Sequence, residues 1–523
     1  MNNLMNLVIA RLDGDKINDS QYRHYIEKLV KDGIGGFVVF GGDYEEIKNF
    51  IAHLQSMALK PLIVASDIER GVGQQIKGGK LIPSQMGIAA GFDLTKDKAW
   101  LEALYSIVIK EALDVGINLA LIPVMDVNTE PDNPIICTRA FSDNSEVVSK
   151  YGSFSIKFFE SHGLLTCAKH FPGHGATQTD SHLALPYIGD NIETHLKPFE
   201  EAIKAKVSSI MVGHIVAFDT KPASLSEKTI NELLKQKLGF KGAVITDAMN
   251  MKALMEYKNP HVLAFIAGAD IILHPQDPYA AWEEIKTAYK QGVITDIRIK
   301  DAQRRISRLR KKIKRKLPIG VPKKSTIRVP QKVFDFLGTP FGGAPIVNDE
   351  NISLIHRAFK KTVTVIKNEI DSLNSRQIIP YLVGTYTEEI KKTFQSYFGF
   401  AFDLKDYKPS NAIPLIAAFT NIKAAGREYL LKENQNTMIR KIISNNETVV
   451  VSFGNPYVLR PFKKAKAIIA VYDSHELAVL AFLDAFSEGF KTSGGRPTSP
   501  QKVYDFLGCS SGRLPVKIEW IDE

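Results

Sequence analysis

The densest concentration of chemically useful side chains in the sequence runs from Lys169 to His182. Lys169-His170-Phe171-Pro172-Gly173-His174-Gly175 continues through Ala176-Thr177-Gln178-Thr179 to Asp180-Ser181-His182. One lysine, three histidines and one aspartate therefore share a glycine-punctuated segment. The apolar run before it, Leu164-Leu165-Thr166-Cys167-Ala168, reads as a buried strand, so the segment is a loop leaving a strand's C-terminal end. Side chains of these types, held on such a loop, can donate, accept and carry protons. His170 and His174 have the i, i+4 spacing that metal ligands use on a helix. Pro172, Gly173 and Gly175 argue against a helix there, and no metal or other cofactor is expected. A second candidate is Asp247, which ends the apolar run Ala243-Val244-Ile245-Thr246 and is followed by no lysine or arginine until Lys252. On residue type alone two readings stay open, a carboxylate nucleophile and a helix N-cap.

The elements that must position these groups are legible as recurring strand-like runs, each followed by a helix-length amphipathic segment. They are Leu7 to Ala10, Gly36 to Phe40, Leu62 to Ser66, Leu119 to Ile122, Leu164 to Ala168, Ile210 to Val212, Ala243 to Thr246 and Asp270 to Leu273. This alternation predicts an α/β protein opening with a (β/α)8 TIM barrel over residues 1–316. An open doubly wound sheet would give a similar pattern. The placement of Asp67, Asp126, His170, His214, Asp247 and His274 at or just past strand C-terminal ends favours the barrel, because barrel enzymes assemble their sites on that face. Pro318, Pro322, Pro330, Pro340 and Gly342-Gly343 mark residues 317–350 as a linker. Further apolar runs beyond it, such as Thr448 to Ser452 and Ala467 to Val471, predict a smaller α/β sandwich domain over 351–523, built on a mostly parallel sheet. Pro330-Gln331-Lys332-Val333-Phe334-Asp335-Phe336-Leu337-Gly338 recurs, with one change, as Pro500 to Gly508. This repeat is too short and isolated for a solenoid.

Bulk properties exclude several classes. Of 523 residues, 44% are hydrophobic and 24% charged, as in ordinary globular proteins. Much of the net charge of +10 falls between Arg298 and Lys324. That run lacks aromatic interleaving and any nucleic-acid motif, so it reads as the solvated face of a long helix and no nucleic-acid partner is expected. No uninterrupted apolar run is long enough to span a membrane. The three cysteines have neither disulfide density nor metal-ligand spacing. The first residues, which reach Asp13 early and lack a basic start, do not resemble a signal peptide, so a cytoplasmic location is expected.

The segment from Lys169 to His182 resembles the signature of glycoside hydrolase family 3, and within it the β-N-acetylglucosaminidase branch, which reads K-H-F-P-G-H-G followed by D-x-H. The resemblance covers most of residues 1–316 and, more weakly, the second domain through Ser452 to Tyr457 and Ser511 to Val516. It implies that Asp247, in Gly239 to Met249 and preceded by Pro222-Ala223-Ser224-Leu225-Ser226, is the nucleophile of a retaining exo-β-N-acetylglucosaminidase. It further implies that His182 is the acid/base with Asp180 as its partner, an unusual pairing that an imidazole's pKa near 6.5 makes chemically reasonable. Lys169, His170, Asp67 and Arg139 match positions that contact the bound sugar. The stretch after Asp67 reads Ile68-Glu69-Arg70-Gly71, where the family usually has x-E-G-G-R. His214 and Asp126 are explained as well by barrel architecture as by substrate contact. The implied substrate is a small GlcNAc-containing glycan, with bacterial cell-wall recycling as its setting. A family 3 β-glucosidase or β-xylosidase, a GlcNAc phosphorylase, and a non-catalytic carbohydrate-binding protein are the alternatives; the aglycone and oligomeric state are not implied.

Overall fold

A computed structural model of the chain describes residues 4–177, 192–316, 350–370, 377–422, 428–491 and 515–521. Contacts divide it into two compact units. One comprises Met1–Leu81, Tyr105–Glu130 and Ser145–Thr339, and the other Ile82–Leu104, Pro131–Asn144 and Pro340–Glu523. Both copies of the repeated segment lie outside the described residues, as does the expected linker up to residue 349. Among the described residues no helix is long and apolar enough to cross a membrane.

The expected barrel is present in the first unit. Its strands are β1 Val8–Asp13, β2 Gly36–Phe40, β3 Ile63–Ser66, β4 Leu119–Ala120, β5 Leu165–Phe171, β6 Ser209–Val212, β7 Ala243–Thr246 and β8 Ile272–Leu273. All pair in parallel with their chain neighbours. β8 returns to β1 through Val8↔Ile272 and Ile9↔Leu273, and a bridge between Ile245 and Ile271 closes the ring. Parallel strands covered on both faces need apolar side chains in both directions, which is why these runs are near-continuously hydrophobic rather than alternating.

Register fixes which side chains face the lumen. Lys169 of β5 makes an ion pair with Asp67, just past β3, although β4 lies between those strands. Side chains from non-adjacent strands meet across the interior, so Asp67 and Lys169 point inward. Their same-face neighbours at two-residue spacing, Ala65, Leu165 and Cys167, lie on the inward face below them. The pairings Cys167↔Ser209 and Ser209↔Ala243 carry that face to β7, where Ile245 and Asp247 follow at the same period. On the other side, Ile63↔Gly36 and Gly36↔Ile9 place Phe40 and Arg11 on it as well.

The basic helix Asp296–Lys316 closes the opposite end of the barrel. Its buried residues Ile299, Ala302, Ile306, Leu309 and Ile313 form a helical stripe. The cations beside them are not simply solvated, contrary to the expectation for a charge run. The Arg298 guanidinium donates to Asp270 at 3.0 Å, Arg305 to the Gly242 and Phe240 carbonyls at 2.8 and 3.1 Å, and Arg310 to the Gly35 and Pro61 carbonyls, both at 3.0 Å. Lys312 donates to the Ser208 hydroxyl at 2.7 Å. Each acceptor lies just ahead of a strand, so one helix satisfies groups at the N-terminal ends of β2, β3, β6, β7 and β8. A periodicity argument sees charge and not these partners, because backbone carbonyls carry no sequence signal.

In the second unit a sheet has the order β11-β10-β12-β13-β14-β9. These strands are β9 Thr364–Asn368, β10 Ile378–Gly384, β11 Phe402–Asp403, β12 Ile413–Phe419, β13 Val449–Phe453 and β14 Ala467–Val471. All pairs are parallel except β14 with β9. The helices Glu350–Thr362, Glu388–Phe398, Glu433–Asn445 and Glu476–Lys491 complete the expected smaller α/β domain.

The helix that closes the barrel gives a direct test. Arg305 is buried and also pairs with Asp301 at 3.0 Å, whereas Arg304, on the same aspartate, is 60% exposed. Arg305→Ala strips two carbonyls of their donor and should lower stability by about 2–4 kcal/mol in urea titrations. Arg304→Ala should cost under about 1 kcal/mol. Equal effects would mean that the tie to the strand ends is not what holds this helix.

Candidate active site

The C-terminal rim of the barrel gathers the titratable groups. Lys169 is deeply buried among them, with a side-chain exposure of 1%. Its ammonium lies 2.5 Å from Asp67 Oδ1 and 2.7 Å from Glu69 Oε1. A buried ammonium is tolerated only when paired and hydrogen-bonded, and two carboxylates from the loop after β3 meet that requirement. Asp67 keeps 26% of its side chain exposed and Glu69 only 4%. The Asp67 carboxylate is therefore the member of the trio open to a ligand, with Glu69 behind it. Glu69 was noted in the sequence only as part of an atypical turn, and its pairing with Lys169 emerges from the fold.

Beside this trio, Asp126 organises the histidine loop. It is fully buried and its Oδ2 lies 2.7 Å from His170 Nδ1. Its Oδ1 accepts the backbone amides of His174 at 2.6 Å and His170 at 3.3 Å. The segment carrying Asp126 is held alongside β5 by Met125 N to Lys169 O at 2.6 Å and Lys169 N to Pro123 O at 3.1 Å. The peptide bonds Ile122–Pro123, Lys169–His170 and Phe171–Pro172 are cis. Gly175 allows the loop to close onto this segment: a Cβ there would lie 1.9 Å from the Val127 carbonyl oxygen. His174 turns its Nδ1 to Thr177 Oγ1 at 2.7 Å. Asp126 thus has a positional role that strand-end placement alone left undecided.

Asp247 follows β7, its amide donating to Val212 O at 2.9 Å and its Oδ1 accepting the Ala248 amide at 2.8 Å. No α-helix starts there. The next helical residues are a 3-10 turn, Lys252–Leu254, whose cap position is Met251. The N-cap reading of Asp247 therefore has no helix to serve. His214, at the end of β6, fixes the following peptide: its Nε2 lies 3.0 Å from Ala248 O and its Nδ1 2.7 Å from Ser224 Oγ. A carbonyl only accepts, so Nε2 carries the proton and Nδ1 accepts from the Ser224 hydroxyl. This gives Ser224, in the 3-10 turn Ala223–Leu225 within Pro222 to Ser226, a physical task beside β7.

Asp180 and His182 lie outside the described residues. Arg139 belongs to the second unit, where its Nη1 donates to Ile135 O at 2.9 Å and its carbonyl accepts from Gln85 Nε2 at 2.8 Å. In the first unit the fold brings together Asp67, Lys169 and Asp247 on one inward face, with His170 tied beside them through Asp126. The electrostatics agree. Burial pushes the Cys167 thiol up to about 12; Asp67 and Asp247 act in the same direction and Lys169 against them, so all three charges reach one point beneath the rim. Such an arrangement sets groups chemically able to bond hydroxyls beside a carboxylate chemically able to serve as a nucleophile.

Residues 5–309 match the family model for the glycosyl hydrolase family 3 N terminal domain. A Pseudoalteromonas piscicida protein named beta-hexosaminidase A is 34% identical over 281 residues, 48% of this chain and 47% of that protein. The chain thus spans about half the length of that relative. A Cellulomonas fimi protein named beta-N-acetylglucosaminidase/beta-glucosidase is 24% identical over 535 residues, covering 92% of this chain and 90% of its own. Among solved structures, a glycoside hydrolase family 3 beta-N-acetylglucosaminidase from Paenibacillus sp. str. FPU-7 superposes with a TM-score of 0.76 at 23% identity, covering 99% of both chains. At that identity the likeness speaks for the fold.

The rim's protonation states set the response to acid. Burial first, then the charge of His170, push the His174 imidazole from its ordinary 6.5 down to about 4, with Asp126 and Asp247 acting in the opposite direction. Between those values the unfolded chain takes up a proton that the folded protein refuses, so stability falls as pH drops from 6.5 towards 4. Asp126 extends the loss to lower pH, below its ordinary value of 3.8. Burial would raise its carboxyl, but His170 and His174 hold it below the usual range, and this stabilisation is lost as acid protonates it. Urea midpoints should therefore decline from pH 7 to pH 4.5, and His174→Gln should flatten that decline. An unchanged slope in the variant would assign the acid sensitivity elsewhere.

Proposed function

The chain belongs to glycosyl hydrolase family 3, and on that premise we propose that it is a retaining exo-β-N-acetylglucosaminidase releasing terminal GlcNAc from small glycans. The reading rests above all on Asp247, carried by β7 onto the same inward face as the Asp67–Lys169 pair. In this mechanism an Asp247 carboxylate oxygen attacks the anomeric carbon while the bond to the leaving oxygen breaks and His182 gives that oxygen its proton. The product is a glycosyl ester of Asp247. Water then attacks the same carbon, His182 takes its proton, and the carboxylate of Asp247 departs. Asp180 orients the His182 ring and favours its protonated form. Asp67, Lys169 and His170 hold the sugar hydroxyls. In this scheme Lys169 arrives already paired, so it offers an N–H without introducing a bare buried cation.

The acetamido sugar is favoured over glucose by the Asp180-Ser181-His182 segment, which resembles the branch using a histidine acid, and by the name of the Pseudoalteromonas piscicida relative. A histidine acid also places no second carboxylate beside the nucleophile. We extend the proposal to GlcNAc-terminated fragments of bacterial cell wall met in the cytoplasm, in keeping with three cysteines whose spacing has no disulfide-framework density.

A chromogenic β-N-acetylglucosaminide and the matching β-glucoside, each with and without inorganic phosphate, test the reading. The acetamido substrate should be turned over with clear preference and without dependence on phosphate. Asp247→Ala should lose about a thousandfold in kcat, and His182→Ala about a hundredfold or more on a substrate with a poor leaving group. Preference for the glucoside would overturn the branch assignment. Phosphate dependence, with glycosyl phosphate as product, would replace hydrolysis by phosphorolysis, and an active Asp247→Ala would remove the nucleophile.

A further inference from the structure

His274, immediately after β8, breaks the alternation that orders the rest of the rim. Leu273 pairs with Ile9 on the inward face, so by period two His274 should turn away from the lumen. Its ring instead lies 6.0 Å from that of Phe40, an inward residue of β2 whose face also carries the Arg11 guanidinium at 4.9 Å. The backbone provides the reversal. His274 adopts a left-handed conformation, with φ of 46°, while its amide stays tied to Ile9 O at 2.8 Å. A side chain with a Cβ disfavours that region, and such conformations are held where the surrounding structure requires a particular direction of the side chain.

The ring that this conformation delivers is polar and half-buried. Burial, followed by repulsion from Arg11, pushes its pKa down to about 4, while Asp67 and Asp247 act in the opposite direction. It is therefore neutral near pH 7 and lies within electrostatic reach of both carboxylates. A neutral imidazole presents one N–H donor and one bare nitrogen. Asn250 Nδ2, three residues beyond Asp247, approaches Nε2 at 3.5 Å, the outer limit of a hydrogen bond. Among the described residues the other ring nitrogen has no hydrogen-bond partner. A sugar hydroxyl can rotate to give or to take a hydrogen bond, so either tautomer of the ring can engage it.

We propose that His274 is a specificity-determining contact, hydrogen-bonding one hydroxyl of the sugar ring seated between Asp67 and Asp247. The proposal rests on the glycosidase reading above and adds to it a residue from the eighth strand. It also accounts for the left-handed backbone as the device that turns this ring into the mouth. Sequence position marks His274 as a strand-end residue, whereas the reversal of its direction is a property of the fold.

The test compares wild type with His274→Asn and His274→Gly, both compatible with a left-handed backbone. Calorimetric Kd values for free N-acetylglucosamine and glucose are measured with kcat/KM on the chromogenic substrates and their 3-, 4- and 6-deoxy analogues. Both variants should keep a melting temperature close to wild type and weaken both Kd and kcat/KM by about tenfold. One deoxy analogue should lose that factor in wild type and lose little more in the variants, which identifies the hydroxyl. Variants within threefold of wild type would overturn the contact and leave the glycosidase reading standing. So would variants that lose the same additional factor on every deoxy analogue, since that marks an effect through the fold. A wild type that binds the sugar without cleaving it would sink the glycosidase reading while the Kd values still decide on His274. A wild type that neither binds nor cleaves any of these sugars would overturn both.

Discussion

A lysine ammonium sealed inside a protein must meet compensating charge, and at this rim Lys169 meets it from across the lumen. Asp67 and Glu69 come from one loop and Lys169 from a strand two places round the ring. The pairing therefore fixes the height and angle of the β3 loop relative to β5. Asp126 fixes the strand between them by gathering the amides and ring of the loop that follows Lys169. β3, β4 and β5 are in this way locked together at their C-terminal ends by charge as well as by their backbone ladder. The β6–β7 side uses neutral groups for the same purpose, through Ser224, His214 and the carbonyl next to Asp247. Hydrogen bonds in a low-dielectric mouth hold these side chains in fixed positions.

Most of the barrel was legible because strands buried on both faces are written as apolar runs. All eight runs read from the sequence correspond to strands, and Asp67 and Asp247 follow from counting residues at their ends, whereas Lys169 was marked by its place in the histidine-bearing segment. The partners were not legible. Nothing in Glu69 distinguishes a surface carboxylate from one facing a buried lysine, and Asp126 acquires its task only when the loop from His170 to His174 folds over it. The short β11, Phe402–Asp403, carries too few apolar residues to stand out. The affiliation of residues 82–104 and 131–144 with the second unit is likewise set by contacts distant in sequence, which local periodicity does not encode.

The two ends of the barrel separate their obligations. The C-terminal rim carries carboxylates, imidazoles and a buried ammonium, several of them in states that burial disfavours, and such groups are maintained at a cost in stability. The N-terminal end carries guanidinium groups bonded to carbonyls, with an apolar stripe between them, which is stabilising chemistry without reactive groups. Substitutions at the rim can change what is bound without disturbing the attachments at the far end.

That far end also imposes an order of events on the growing chain. The carbonyls before β2 and β3, of Gly35 and Pro61, are made long before their donor, Arg310, which is among the last residues of the barrel to be synthesised. Until the helix Asp296–Lys316 has left the ribosome, the early strands stand with one end of their ring unsealed. The last of these attachments can thus form only once the final helix of the barrel is made, although the N-terminal parts of a protein are usually free to fold first.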